Sequence, residues 1–381
     1  MSAHWDDRLE HVAVSDVGLR RANNQDSFSV MLAANRELFE KRGHLFLVAD
    51  GMGAHAAGEL ASKLAADNIP HAYSKTLTLS PPTAIVKSIK DINKQINDRG
   101  KANADFHGMG TTCSVLVLLP QGALVAHVGD SRVYRLRPDR VLEQLSFDHS
   151  LAWELLARGK VSESQVALQV PKNIITRSLG PSPEVEVDLE GPLPINVGDT
   201  FLLCSDGLSG QVEDPEIGSM LGALSPSDAA RALTDLANLR GGPDNITVIV
   251  VRVTKAMMGP PGEGFAADGA AGKGFGGWLK SLGSMLSGGG TQPGGRYGRG
   301  PYRIYPANSD AKFTHTLASL TQELREAATA ERWSVDWREF NSHCDQAAHV
   351  SGEQNYTVAI REYSLAMSFM MSELRNQRRR K

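Results

Sequence analysis

Along residues 10–255 the apolar positions follow two rhythms. Short, mostly apolar runs bounded by turn residues predict strands at 45–49, 113–119, 124–128, 133–136, 201–204 and 246–253. Apolar positions three and four apart predict helices near 58–69, 84–99, 151–158 and 227–239. The helices come in blocks between strand pairs, such as 124–128 and 133–136 joined by a four-residue turn. That order predicts an α+β domain with antiparallel pairing rather than a doubly wound parallel sheet.

The rhythm then changes twice. Residues 256–301 are Gly-rich, and such a stretch buries too little surface to offset its ordering entropy, so it reads as a flexible linker. Within it Phe275, Trp278, Leu279, Leu282 and Leu286 recur at helical spacing. Docking on the chain, or staying disordered, accounts for that stripe more simply than a membrane contact. From 302 to 381 the pattern is helical throughout. One face is marked by Leu317, Leu320, Leu324 and Ala327, a second by Trp333, Trp337, Phe340, Cys344 and Ala347. A third runs through Tyr356, Ile360, Tyr363, Met367, Met370 and Leu374. A small three-helix module is expected; the faint tetratricopeptide-like spacing would be a lone repeat, which rarely stands by itself. The division is therefore a domain at 1–255, a linker at 256–301 and a helical module at 302–381.

Composition narrows the function classes. A net charge of −3 gives no reason to expect nucleic-acid binding, and the one basic run, Arg378 to Lys381, reads as a solvated tail. Three cysteines with no C-x-x-C spacing argue for a reducing compartment, and the N-terminus carries no secretory pattern. No run of 18 apolar residues offers a membrane span. The expected location is the cytoplasm.

The informative feature is the placing of aspartates. Asp50-Gly51 ends one apolar run, Asp206-Gly207 another, Asp244-Asn245 precedes a third, and Asp130 lies in the turn between two more. Each alone is an ordinary turn. Strand ends of one sheet can converge, however, and two carboxylates 4 Å apart repel by about 4 kcal/mol at an effective dielectric of 20. A cluster would hold protons or bind divalent cations, and all-oxygen ligands select hard ions, Mg²⁺ or Mn²⁺. Gly51, lacking a Cβ, could bring its carbonyl to such an ion. Two ions together would acidify a water and neutralise a phosphoryl group in transfer. Arg21 is a candidate phosphate clamp and Asp26 a candidate partner for a metal-bound water, unless the two form a surface ion pair.

The ordered set Arg21-Ala-Asn-Asn-Gln-Asp26, Asp50-Gly-Met-Gly-Ala-His55, Gly110-Thr-Thr, Val128-Gly-Asp-Ser-Arg132, Asp148-His-Ser, Ser205-Asp-Gly-Leu and Gly242-Pro-Asp-Asn-Ile-Thr247 resembles the metal-dependent (PPM, type 2C) protein phosphatases of bacteria. The resemblance runs from about His11 to Val253. It implies an antiparallel β-sandwich flanked by helices, with the small all-α module appended. It also implies two Mn²⁺ or Mg²⁺ ions at one end of the sandwich. By motif position Asp50 would bridge both ions, Gly51 would coordinate through its carbonyl, and Asp206 and Asp244 would complete the shell. Asp130 would hold a third, weaker ion. Arg21 and Asn245 would bind the substrate, with Arg21, Asp50 and Asp206 as the catalytic set and Gln25 and Asp26 supporting the metal waters.

The segment 151–180 resembles the family's substrate flap. Two departures stand out: Gln25 where relatives often carry Glu, and Met52 where animal members place a histidine, which leaves no general acid beyond the weak candidate His55. The implied activity is hydrolysis of phosphoserine and phosphothreonine on proteins, opposing a serine/threonine kinase, with the module recruiting an unknown partner and dispensable for chemistry. Cysteine-dependent phosphatases fit poorly, since no cysteine has an arginine six positions on. The competing readings are a catalytically silent scaffold or sensor, although no expected ligand is missing, and action on a small phosphorylated metabolite.

Overall fold

The computed structural model describes residues 6–53, 56–157, 170–171, 174–257 and 297–380, without the side chains of 378–380. His55, the apolar stripe at 275–286 and the charged ends of the basic tail lie outside the described residues, as do 158–169 and 172–173 of the flap segment.

Two antiparallel six- and five-strand paths stack face to face. The first runs β1 (Leu9–Asp16), β11 (Ile246–Val253), β10 (Thr200–Cys204), β7 (Arg132–Leu136), β8 (Val141–Gln144) and β12 (Arg303–Pro306). The second runs β2 (Asp26–Met31), β3 (His44–Met52), β5 (Cys113–Leu119), β6 (Gly122–Val128) and β9 (Asp188–Leu193), with the two-residue β4 (Gly110–Thr111) on β3. The central strands are buried on both faces. In β3, Phe46 and Val48 pack between the sheets while Leu45, Leu47 and Ala49 pack under helices. In β11, Ile249 and Val251 face the other sheet while Val248 and Val250 face outward helices. Burial on both sides is why these strands read as continuous apolar runs, and the helices complete an αββα sandwich.

One face is covered by α2 (Ala57–Lys75) and α3 (Pro81–Ala102), which pack on the β3–β5–β6 side. The other is covered by α6 (Asp214–Ala223) and α7 (Pro226–Leu239). Short helices α1 (Arg36–Arg42), α4 (Leu151–Ala157) and α5 (Asp206–Ser209) lie at the sandwich ends.

Two expectations are corrected. Strands β6 and β7 do not pair: β6 lies between β5 and β9, and β7 between β10 and β8. The turn between them crosses from one sheet to the other through Gly129 at φ 115°, a conformation that favours glycine. The second correction concerns the linker boundary. Tyr297 exchanges backbone hydrogen bonds with Gly191 at 2.6 and 3.2 Å, Glu190 accepts from the amides of Arg299 and Gly300, and β12 pairs with β8. Residues 297–301 are therefore part of the sandwich edge, held by backbone pairing that a compositional reading does not see. Pro306 exposes its ring and ends the pairing, which blunts a sheet edge.

The C-terminal residues form α8 (Ala311–Ala330), α9 (Trp337–Gly352) and α10 (Tyr356–Arg380). Asp310 caps α8 and Asp336 caps α9 by accepting first-turn amides. These helices do not roam over the surface. Leu317, Phe340, Ile360, Met367 and Met370 share one continuous core with Leu221, Leu233 and Leu236 of α6 and α7. Arg375 of α10 pairs at 2.6 Å with the buried Asp235 of α7.

Candidate functional site

The antiparallel register brings four chain turns to the same end of the sandwich. Asp26 and Asp50 are direct partners on β2 and β3, so their side chains leave the same face. Cys204 pairs with Val248 and with Arg132, which carries Asp206, Asp244 and Asp130, just beyond these strands, to that end too. Asp206 and Asp50 lie close enough for Asp206 to raise the Asp50 carboxyl electrostatically. Burial, reinforced by the neighbouring carboxylates, raises Asp26 to about 6 and Asp130 to about 7. Asp50 keeps a solvent-facing edge, yet it is hemmed in by protein atoms and by Asp26, Asp206, Asp130 and Asp244, which hold its carboxyl well above the usual range. Burial and Asp244 raise Asp206 likewise.

Neighbouring groups fix these carboxylates. Ser205 Oγ donates to Asp26 Oδ2 at 2.7 Å and accepts from the Thr247 amide at 2.9 Å. The Asp50 amide donates to Thr112 Oγ1 at 2.8 Å, and Thr112 in turn meets Ser131 Oγ at 2.7 Å beside Asp130. Arg132 holds Asp148 at 2.8 Å, and Asp148 also accepts from Gln144. Gly51 sits where a Cβ would lie 2.1 Å from the Gly58 carbonyl oxygen and 2.6 Å from that of Gln25. The close approach of α2 explains the missing side chain there.

Two site expectations change. Arg21 does not pair with Asp26; its Nη2 donates to Asp244 Oδ2 at 2.7 Å at the mouth of the cleft. Asn245 is not available to a substrate. Its Oδ1 accepts from the Gln25 amide at 2.8 Å, and its Nδ2 donates to the carbonyls of Val17 and Asn23 at 2.9 and 3.0 Å. The buried amide is consumed in pinning the 17–25 loop, and so it positions Arg21 and Asp26 rather than touching ligand.

Beside the cluster opens a cleft of about 560 Å³, lined among others by Arg21, Asp130, Asp206, Asp244, Trp153, Arg132 and Arg303. The last of these lies beyond the Gly-rich stretch, and nothing in its local sequence marked it.

Among the described residues no three or more His, Cys, Asp or Glu side chains are grouped tightly enough to hold a metal ion as they stand. The cluster is open, with Asp26 Oδ1, Asp130 Oδ1 and Asp206 Oδ1 buried and lacking any hydrogen-bond partner. Orphaned carboxylate oxygens at this density are costly to bury. A hard divalent cation has the charge and ligand preference to satisfy them, so the donor set fits Mg²⁺ or Mn²⁺.

A pH-dependent consequence follows. Because the folded pKa values are raised, the native protein binds more protons than the unfolded chain between about pH 4 and 7, so metal-free stability falls as pH rises through that window. Buried His127, lowered to about 3, acts in the opposite sense below pH 6.5, but it does so with or without metal and cancels in a difference. The melting-temperature gap between Mn²⁺-loaded and EDTA-treated protein is expected to widen from near zero at pH 5 to about 5 °C at pH 8. A gap independent of pH would show that these carboxylates do not bind the ion.

The chain is similar to known proteins in sequence and in fold. The profile of the protein phosphatase 2C family matches residues 20–239. The serine/threonine phosphatase stp of Listeria monocytogenes is 37% identical over 244 residues, 62% of this chain and 93% of the relative. Protein phosphatase PhpP of Streptococcus pneumoniae is 35% identical over 251 residues, 65% of this chain and 98% of the relative. The Mycobacterium tuberculosis serine/threonine phosphatase PstP/Ppp structure is 33% identical with a TM-score of 0.57, covering 65% of this chain and 99% of its own. A structure of the PstP catalytic domain described with two manganese ions has a TM-score of 0.55 at 33% identity, with the same coverage.

Proposed function

The chain belongs to the protein phosphatase 2C family and is a metal-dependent serine/threonine protein phosphatase of the bacterial type, and we propose that its aspartate cluster is the catalytic centre. The observation that carries the site assignment is the trio of buried, partnerless carboxylate oxygens at the end of the sandwich. In this reading Asp50, Asp206, Asp244 and the Gly51 carbonyl hold two Mn²⁺ or Mg²⁺ ions, and Asp130 holds a third. When bound, such ions lower the pKa of water and neutralise charge on a phosphoryl group.

The chain's own residues do the rest. Asp26, fixed by Ser205, offers a carboxylate edge that can orient water. Gln25 keeps the loop in register through its amide on Asn245, and its neutral side chain places one negative charge fewer beside the metal waters than a glutamate would. Arg21, half-exposed and paired only at the cleft mouth, can turn its fork to two phosphoryl oxygens.

We further propose that the enzyme acts in the cytoplasm on phosphoproteins made by a serine/threonine kinase. The three free cysteines are consistent with a reducing compartment. No helix among the described residues is long and apolar enough to cross a membrane. Partner recruitment falls to the C-terminal helices, where α9 buries only Phe340 and Ala347 and leaves most of its surface open.

The decisive assay is hydrolysis of a small aryl phosphate and of a phosphothreonine peptide. Activity on both is expected to vanish in excess EDTA and return with Mn²⁺. Full turnover in EDTA would refute the assignment.

A further inference from the structure

The crossing between the two sheets is gripped on both flanks, while the carboxylate at its centre is left open. After the crossing, Ser131 Oγ meets Thr112 Oγ1 at 2.7 Å, and the Ser131 carbonyl accepts from Ser114 Oγ at 2.9 Å. Arg132 is held by Asp148 at 2.8 Å. Before the crossing, Gly129 is held by two buried imidazoles, His127 and His149, stacked 5.0 Å apart. The Gly129 carbonyl accepts from His127 Nε2 at 2.9 Å and from the His149 amide at 2.7 Å. The Gly129 amide donates to His149 Nδ1 at 3.0 Å. Between these held residues lies Asp130, which lines the cleft and whose Oδ1 is buried without a hydrogen-bond partner.

An imidazole suits this task because it accepts on one nitrogen and donates from the other. Since Nδ1 accepts from Gly129, the ring proton sits on Nε2, which donates to Asp188 Oδ2 at 3.0 Å. Asp188 Oδ1 in turn accepts from Arg177 Nη1 at 2.6 Å. A carboxylate anchoring Nε2 fixes the ring's orientation and keeps the Nδ1 lone pair aimed at the glycine amide. The His149 carbonyl also accepts from the Thr176 amide at 2.8 Å. His149 itself does not line the cleft, so it acts only through what it holds.

We propose that His149 is a positioning residue: through the Gly129 backbone it sets where Asp130 presents its carboxylate to the third cation. This rests on the proposed assignment of that cation to Asp130. It adds that the chain Arg177, Asp188, His149 ties the ion's site to residues 174–177, which pair with Ser150 and Leu151 at the start of α4.

The test compares the full chain with His149→Gln, His149→Asn and Asp130→Asn. Asparagine keeps an amide oxygen near the Nδ1 position but falls short of Asp188; glutamine reaches Asp188 but leaves the Gly129 amide without its acceptor. Equilibrium Mn²⁺ binding is read without substrate from the EPR signal of the free ion, beside kcat/KM on a small aryl phosphate. His149→Gln is expected to weaken the weakest Mn²⁺ site by about tenfold and to move the two tighter sites by about twofold or less. His149→Asn should keep most of that affinity. In an Asp130→Asn background, His149→Gln should lower kcat/KM no further, because both changes remove one interaction.

Equal weakening of all three sites, or losses that add in the double variant, would give His149 a merely structural role and overturn the proposal. Three sites left untouched by His149→Gln overturn it as well. Should His149→Gln fail to melt cooperatively, a folded His149→Asn that has lost the weak site overturns it. A parent chain that binds two ions and no third would refute the Asp130 assignment itself, and the proposal with it.

Discussion

Asp50→Asn is expected to lower kcat/KM on a phosphothreonine peptide by about a thousandfold or more, and to raise the melting temperature of the metal-free protein. The two effects have one cause. Asp50 is surrounded by Asp26, Asp206, Asp130 and Asp244, and in the absence of an ion these groups hold protons against their ordinary acidity. Each pair of ionised carboxylates at 4 Å costs about 4 kcal/mol at an effective dielectric of 20. An amide of the same shape removes one member of every such pair and can donate to Asp206. A gain of about 1–2 kcal/mol in the metal-free state, read as several degrees in melting temperature at pH 8, is the expected scale. The same substitution removes the group placed to hold the cations, so added Mn²⁺ should stabilise the variant less than the parent. Calorimetry with and without Mn²⁺ beside a phosphopeptide assay separates the possibilities. Loss of activity with a lower melting temperature would mean a damaged fold, and unchanged activity would remove Asp50 from the reaction.

Much of this was legible in the sequence because the central strands leave no choice of partner. The run 45–49 is apolar at every position and 246–253 at all but Thr247 and Arg252, since each has a sheet on one side and helices on the other. The aspartates at their ends were visible for the same reason: a charge directly after a fully buried run must lie where the sheet opens. Edge strands were not legible. β1 and β2 mix Glu10, Ser15, Ser27 and Ser29 with apolar residues because one face meets solvent or a polar site.

The pairings of Asn245 and Arg21 escaped because they are set by a loop that returns from over 200 residues away, through Gln25 to Asn245 and Arg21 to Asp244. No local pattern encodes such a pairing. The crossing at Gly129 was hidden similarly, since a four-residue turn between two apolar runs reads as a hairpin unless the second sheet is known. β12 escaped because four residues after a Gly-rich stretch carry no periodicity, and its hold is backbone pairing to β8 together with the Glu190 clamp.

Ending the chain after Lys255 is expected to lower the melting temperature by about 10 °C and to drive the product towards aggregation. A helical module tethered by a flexible linker would come away cleanly, but here the outer layer is shared. Ile217, Met220, Leu221, Leu233 and Leu236 of α6 and α7 belong to the same buried cluster as Ile360, Met367 and Met370 of α10. Each large apolar side chain returned to water costs about 1.5–3 kcal/mol, although part of this burial lies within α8–α10 and would be lost without unfolding the remainder. Asp235 would lose its Arg375 partner, and β8 would become an unpaired edge without β12.

The relatives set the other bound. They span little beyond the catalytic domain, as the 93–98% coverage of their own lengths implies, so this architecture can fold without the C-terminal helices. The expected product is consequently destabilised and sticky rather than unfolded, and dilute, freshly prepared protein should retain hydrolysis of an aryl phosphate. Scanning calorimetry and light scattering on the 1–255 chain, compared with the full length, measure both effects. A monodisperse 1–255 chain melting within about 2 °C of the parent would mean that α10 rests on the sandwich without contributing to its stability.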